Sequence, residues 1–193
     1  MELDDVPKIA DWFLDIKDVA FFDRALPIPV NADALRESWR ASLEYSVSPS
    51  AYWVVADTPD RQPAGVAGLH SINYIHGDAI VPAFVGDAYR DLGLGPAMVA
   101  YVIDLAFSHF RLHRLTTFYR ADNARAELSL AKIGFKEEGR FREGWFANGV
   151  RNDMVIVGLL ASEWSEMKAE LLDDLAQSSE VSLPPAFWDR LRD

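Results

Sequence analysis

Cysteine is absent from the 193 residues of this chain. Its absence excludes a disulfide framework, a thiolate metal site and a cysteine nucleophile. Long apolar runs are absent as well, since no stretch approaches the ~20 residues that span a bilayer, and the acidic N-terminus does not resemble a secretory signal. These absences predict a cytoplasmic protein without a membrane segment.

Positive charge is scarce, because 19 Lys and Arg stand against 30 Asp and Glu and give a formal net charge of −11. Nucleic acids and anionic membranes both need a basic surface, so neither is predicted as a partner. Only four histidines are present, and their spacing does not match a metal-ligand pattern. We therefore predict no metal site.

Apolar residues, in contrast, are abundant: half of the chain is hydrophobic and 12% is aromatic. That content is enough for one compact domain and argues against disorder. Helical spacing predicts a helix that starts near Pro7 and a second helix that Asn31 caps. The apolar stripe of the second helix is Leu35, Trp39 and Leu43.

Residues that favour β-structure dominate the middle of the chain, with turn-prone residues between them. Residues 52–56, 66–75 and 79–85 are predicted as an antiparallel meander. A helix-like run over 97–110, a strand over 112–119 and a short helix over 124–132 follow. The turn residues Asn148 and Gly149 then predict a hairpin over 141–160.

A glycine-containing loop joins the third strand to the long helix: Arg90, Asp91, Leu92, Gly93, Leu94, Gly95 and Pro96. Two glycines allow a tight turn and a close approach of backbone to a ligand, and Pro96 suits a first helical turn. The N–H groups and the positive dipole end of the helix would meet there and form an anion site. A turn used only for close packing is the alternative.

Together, two motifs resemble the GNAT N-acetyltransferase superfamily. The first is Arg-x-x-Gly-x-Gly at Arg90, and the second runs from Asn123 through Lys132 and Gly134-Phe135 to Glu138-Gly139. The second is similar to the branch that contains the ribosomal-protein alanine and serine N-acetyltransferases. The resemblance implies an α/β protein with the GNAT fold, a mixed, mostly antiparallel twisted sheet flanked by helices, and acetyl-CoA as co-substrate.

The same resemblance implies where coenzyme A would bind. Its pantetheine would bond to backbone in the third strand, where Pro82 fits a point at which that strand splays from its neighbour. An ordinary edge strand explains Pro82 nearly as well. The implied cofactor-binding residues are Ala83, Phe84, Val85, Arg90, Asp91, Leu92, Gly93, Leu94, Gly95, Asn123 and Lys132.

The implied reaction is direct transfer of an acetyl group to a primary amine, on a peptide N-terminus or on a small molecule. The implied catalytic residues are Glu143 as base, with Asn123 and Tyr119. Residues 79–83 lack the carboxylate of many relatives, and Ala126 replaces a frequent serine. Glu143 would share a strand face with Trp145, and its alternative role is pairing with a cross-strand arginine.

Two further functions stay open beside that one. The missing carboxylate and serine favour a non-catalytic acyl-CoA-binding or regulatory module, and a nucleotide-binding protein could use the same glycine loop.

The predicted GNAT domain covers residues 1–160, and residues 161–193 form a C-terminal helix and tail. Residues 1–3 leave little room for the first edge strand of the family, so this strand is short or missing, or the start lies upstream. The apolar stripe of the C-terminal helix would pack on the domain or on a second subunit, which predicts a monomer or a homodimer. The stripe is Trp164, Met167, Leu171, Leu172 and Leu175.

Overall fold

A computed structural model describes residues 1–14, 31–178 and 185–192 of the chain. Within them, seven strands form one sheet in the order β1-β2-β3-β5-β7-β6, with β4 paired to β2. All pairs are antiparallel except β3 and β5. The strands are β1 (Ala51–Asp57), β2 (Pro63–Asn73), β3 (Asp78–Ile80), β4 (Ala83–Val85), β5 (Arg114–Arg120), β6 (Lys136–Ala147) and β7 (Val150–Leu160).

Helices flank both faces of this sheet, as the sequence predicts. A 3₁₀ helix (Val6–Phe13) comes first, and no strand precedes it within residues 1–5. The α-helices are α1 (Ala32–Leu43), α2 (Leu94–Asp104), α3 (Ala124–Ile133), α4 (Ala161–Ser178) and α5 (Pro185–Arg192). Helix α2 starts three residues earlier than predicted and continues as a π-helical turn, Leu105–His109.

Side-chain alternation along the strands divides the core between the two faces of the sheet. On one face, Leu69 and Leu115 pack with α2 and α4 in the main core. On the other face, Val66 and Phe84 pack beneath the 3₁₀ helix and α1. Asn31 caps α1 as predicted, because its side chain accepts a hydrogen bond from the N–H of Ala34 at 2.8 Å.

The run predicted as one strand over 79–85 is two short strands interrupted at Val81 and Pro82. β3 pairs with β5 over three residues, and one more bond joins the Val81 N–H to the Thr116 carbonyl oxygen. β4 then pairs with β2 alone. The third strand therefore separates from β5 at Pro82, the splay that the resemblance implies.

The hairpin of β6 and β7 turns at Asn148 and Gly149, as predicted, with φ of 52° and 78°. β6 contains a bulge, because residues 142–144 lie opposite Asp153 alone. Glu143 has a φ of 54° there and is exposed, whereas Trp145 is buried. The expected shared face of Glu143 and Trp145 is thus wrong, since a bulge interrupts the period of two.

Helix α4, beyond the predicted domain boundary at residue 160, packs its apolar stripe on the main core. Trp164 and Leu172 are buried, and Met167 lies over Gly134. Asp104 of α2 is buried against α4 and pairs with Lys168 at 2.8 Å. Of the predicted tail, residues 179–184 and 193 lie outside the described residues.

Glu163, in the first turn of α4, fastens this helix to two strands. Its carboxylate accepts hydrogen bonds from the Lys136 ammonium at 2.6 Å and from the Leu160 N–H at 2.9 Å. The hydrogen bond from Lys136 lowers the pKa of Glu163 below its ordinary value of 4.5, and the bond from the Leu160 N–H lowers it further. Because the folded-state pKa is depressed, the stabilisation is present above the unfolded pKa and disappears as the pH falls through the folded one.

We therefore expect Glu163→Gln to lower the free energy of unfolding at about pH 7, and we expect this loss to shrink at a second, acidic pH as the wild-type carboxyl becomes protonated. Urea denaturation at the two pH values measures the effect. Glu170→Gln on the same helix, at an exposed position, is the matched control. An equal loss at both pH values would contradict a charge-dependent role.

Candidate functional site

A cleft of about 930 Å³ opens where β4 and β5 separate. α1 and β2 border one end of it, and the N-termini of α2 and α3 border the other. Its lining includes Trp39, Trp53, His70, Ser71, Pro82, Ala83, Phe84, Val85, Tyr89, Arg90, Asp91, Gly93, Gly95, Thr117, Tyr119, Asn123, Arg125, Ala126 and Ser129. The cleft therefore contains most of the sequence-predicted cofactor residues.

The edge of β4 presents backbone groups to this cleft. Phe84 pairs with Val66 of β2, the Pro82 carbonyl oxygen accepts from Gly68, and the Gly86 N–H donates to Ala64. Backbone direction alternates along a strand, so the N–H and C=O groups of the intervening residues, Ala83 and Val85, point away from β2 toward the cleft. An extended ligand amide could bond there as an added strand does.

Helix α2 begins at the far end of the cleft. Gly93 is its N-cap and has a φ of 84°, a conformation that side chains with a Cβ rarely adopt. Gly95, in the first turn, would place a Cβ 3.4 Å from Val85. The first N–H groups of a helix have no intrahelical partner, so the N–H groups of Leu94 and Gly95 lie where the anion site is predicted, and anion binding there stays a prediction.

Both arginines at this end are held by neighbouring groups. The Arg90 Nε donates to the Val85 carbonyl oxygen at 3.0 Å, and its guanidinium pairs with Asp87 and lies over the Phe84 ring. Arg125 pairs with Asp91 at 2.9 Å in the exposed mouth of the cleft. Arg90 thus braces the loop against β4, while Arg125 and Asp91 join the loop to α3.

Tyr119 and Asn123 lie midway along the cleft wall. Burial raises the pKa of Tyr119, and the charges of Glu127 and Glu137 act in the same direction. The hydroxyl of Tyr119 therefore stays protonated at neutral pH and can donate a proton. The Asn123 side chain accepts from the Ala126 N–H at 3.1 Å and caps α3, which fixes its position beside the cleft.

Four of the predicted site residues are not part of the described cleft wall. Leu92 precedes the helix cap, and Leu94 is buried in the core. Lys132 pairs with Asp174 of α4 at 2.8 Å, so its ammonium faces the C-terminal helix. The Glu143 N–H donates to Asp153, and the catalytic role of Glu143 stays a prediction.

The family resemblance implies that the first two helices flank the acceptor site, but the residues that line the α1 and β2 end of the cleft were not predicted from sequence. Its walls include two aromatic rings, Trp39 and Trp53, with centroids 4.6 Å apart, and the polar side chains of His70 and Ser71. The stripe of α1 indicated only that Trp39 is buried. His70 follows buried Leu69 in a strand pattern, and this alternation was the available signal that it faces the other side of the sheet.

None of the helices in the described part of the chain is long and apolar enough to cross a membrane. Within the same residues, no group of three or more His, Asp or Glu side chains could hold a metal ion.

The sequence model of the acetyltransferase (GNAT) domain family matches residues 1–136. "Putative ribosomal N-acetyltransferase YdaF" of Bacillus subtilis is 28% identical over 109 residues, which are 56% of this chain and 60% of that protein. Spermidine N(1)-acetyltransferase of Vibrio cholerae is 26% identical over 110 residues, 57% of this chain and 64% of that protein. The matches to these two curated relatives thus span less than two thirds of their length.

A solved structure has the same fold over a larger share of the chain. The spermidine N-acetyltransferase from Vibrio cholerae, in complex with CoA and spermine, superposes with a TM-score of 0.76 at 22% identity. The superposition covers 86% of this chain and 95% of that one. The mixed sheet with its C-terminal helix is therefore the fold of that structure.

Proposed function

Since the chain belongs to the GNAT acetyltransferase family, we propose that it is an acetyl-CoA-dependent N-acetyltransferase that acts on a primary amine. One observation carries the proposal: the edge of β4 that faces away from β2 and the N-terminus of α2 line the same cleft. A ligand with an anionic group and an extended amide chain matches both. Acetyl-CoA has that composition, with a pyrophosphate for the helix end and pantetheine amides for the strand edge.

This placement orients the thioester toward the middle of the cleft. With the pyrophosphate at Gly93 and Gly95, the pantetheine follows Val85 and Ala83 and ends near Pro82 and Tyr119. Bringing thioester and amine together in one site removes much of the entropic barrier to acyl transfer. Tyr119 supplies a proton to the departing thiolate, and Asn123 positions the thioester from the cap of α3.

The amine enters from the α1 and β2 end of the cleft. Trp39 and Trp53 present an apolar, aromatic wall there, with Ser38 and Ser42 of α1 beside it. The Vibrio cholerae structure in complex with CoA and spermine makes a polyamine one acceptor to test. The aromatic wall instead favours an amine with an apolar or aromatic body, such as a peptide α-amine or an arylalkylamine.

Two experiments test these assignments. Calorimetric titration with acetyl-CoA should give saturable one-to-one binding, and ATP and NAD, as controls, should not compete. Mass spectrometry should then detect acetylation of tryptamine or of an alanine-initiated tripeptide at a higher rate than of spermidine. Absence of acetyl-CoA binding would overturn the cofactor, binding without acetylation would favour the non-catalytic module, and faster turnover of spermidine would overturn the acceptor class.

A further inference from the structure

His70 stands at the amine end of the cleft, in the last regular part of β2. It lines the cleft, and its Nδ1 lies 2.9 Å from the Ser71 hydroxyl oxygen. The strand partners of His70 are Ala51 on β1 and Ile80 on β3, both uncharged. Ser71 has a φ of 52°, and the register of β2 shifts directly after His70.

The face on which His70 lies follows from β2 itself. Val66 belongs to the core beneath α1, and Leu69 belongs to the opposite core with α2. His70 is four residues from Val66, so a period of two places both on the α1 face. That face carries Trp39 and Trp53, where the amine would bind.

The charged groups of the described cleft wall are all at the opposite end. They are Arg90, Asp91 and Arg125, and the Asp91 carboxylate is paired with Arg125 at the mouth. Tyr119 holds its proton because burial raises its pKa. Of the side chains described in this wall, His70 is thus the one that combines a place at the amine end with a ring nitrogen whose lone pair can accept a proton.

We propose that His70 is the general base that deprotonates the acceptor amine, an inference that rests on the proposed acetyl transfer. This role requires the tautomer in which the Nδ1–H donates to the Ser71 hydroxyl oxygen, and that tautomer leaves the Nε2 lone pair to the cleft. Ser71 is accordingly a positioning residue. His70 and Ser71 lie in neither the glycine-containing loop nor the second sequence motif.

His70 Nε2 takes one proton from the ammonium, and the freed lone pair forms a bond to the thioester carbonyl carbon. The carbon–sulfur bond then breaks, and the thiolate of coenzyme A leaves with a proton from the Tyr119 hydroxyl. Tyr119 regains a proton from the new amide nitrogen, and the His70 imidazolium releases its own to water.

The test compares variants on the best acceptor among tryptamine, the alanine-initiated tripeptide and spermidine. His70→Gln should lower kcat by about 100-fold or more, the usual size of a lost general base, with unchanged affinity for acetyl-CoA. The wild-type rate should rise with pH as the general base loses its proton, and this rise should disappear in His70→Gln. His76→Gln, at an exposed position of the β2–β3 turn, is the matched control.

Two more variants separate chemistry from structure. In His70→Ala, added imidazole should restore part of the rate, which a purely structural role would not allow. Ser71→Ala should lower kcat by about tenfold, since the ring loses orientation and not basicity. Both variants should bind acetyl-CoA as the wild type does, which also shows that they are folded.

The outcomes distinguish the base from the proposed function. If the wild type acetylates an amine and His70→Gln does so at the same rate, the role of His70 is overturned and the proposed acetyltransferase function stands. Loss of the pH-dependent rise in Glu143→Gln, with retention in His70→Gln, would assign the base to Glu143. A wild-type chain that acetylates none of the three amines would overturn the proposed function and the base with it.

Discussion

Gly93→Val is expected to weaken acetyl-CoA binding by about 100-fold, or roughly 2.7 kcal/mol. Gly93 caps α2 with a φ of 84° and lines the cleft. A valine there must leave the left-handed region, which turns the first N–H groups of the helix away, or else fill the space that a pyrophosphate needs. Loss of one or two hydrogen bonds to a charged group accounts for the expected size, since each contributes about 1.5–3 kcal/mol.

The control for Gly93→Val must introduce the same backbone strain at a position outside the cleft. Gly149 has a φ of 78° at the tip of the β6–β7 hairpin, and a Cβ there would contact nothing within 4 Å. Gly149→Val should lose about 1–2 kcal/mol of stability but retain acetyl-CoA affinity by calorimetry. A folded Gly93→Val protein with wild-type affinity would contradict the placement of the phosphates.

Asp104→Ala is expected to lower the free energy of unfolding by about 3 kcal/mol, because it leaves the ammonium of Lys168 without its buried partner. Asp104 is 6% exposed and also accepts hydrogen bonds from Ser108 and from the indole of Trp164. The contacts with Trp164 and Lys168 join α2 to α4. Denaturation by urea would measure the loss, with a single transition if α4 unfolds with the domain.

An exposed ion pair provides the comparison. Asp173 and Arg192 join α4 to α5 at 2.7 Å, but their side chains are 61% and 44% exposed. Such pairs contribute about 0–1 kcal/mol, so Asp173→Ala should change stability little. A double-mutant cycle on Asp104 and Lys168 would isolate their interaction, and a coupling near zero would contradict the anchoring of α4 by this pair.

Local patterns predicted the elements of this fold well where a single physical rule decided them. Asn31 caps α1 and the Asn148-Gly149 turn closes the hairpin, because each depends on the conformation of a few adjacent residues. Pro82 marks the splay of β4 from β5, since proline cannot donate in a ladder.

The prediction of side-chain surroundings was less complete, because these depend on distant segments. Lys132 belongs to the second sequence motif and was predicted to bind the cofactor, but Asp174 of α4, 42 residues later in the chain, pairs with it. The bulge in β6 turns Glu143 away from the face of Trp145, and a strand period alone cannot show an extra residue. The amine end of the cleft combines α1 with β2, so no single motif could reveal Trp39 beside Trp53 and His70.

The short ladder between β3 and β5 has a mechanical consequence. It joins β1–β4 to β5–β7 through three residue pairs and one additional hydrogen bond. Beyond Pro82, β4 and β5 separate. A ligand bound along the edge of β4 would connect the two halves of the sheet at the point where they separate. Amide hydrogen exchange in β4 and β5 should therefore slow together when acetyl-CoA binds, whereas exchange in the distant β6–β7 hairpin should not change.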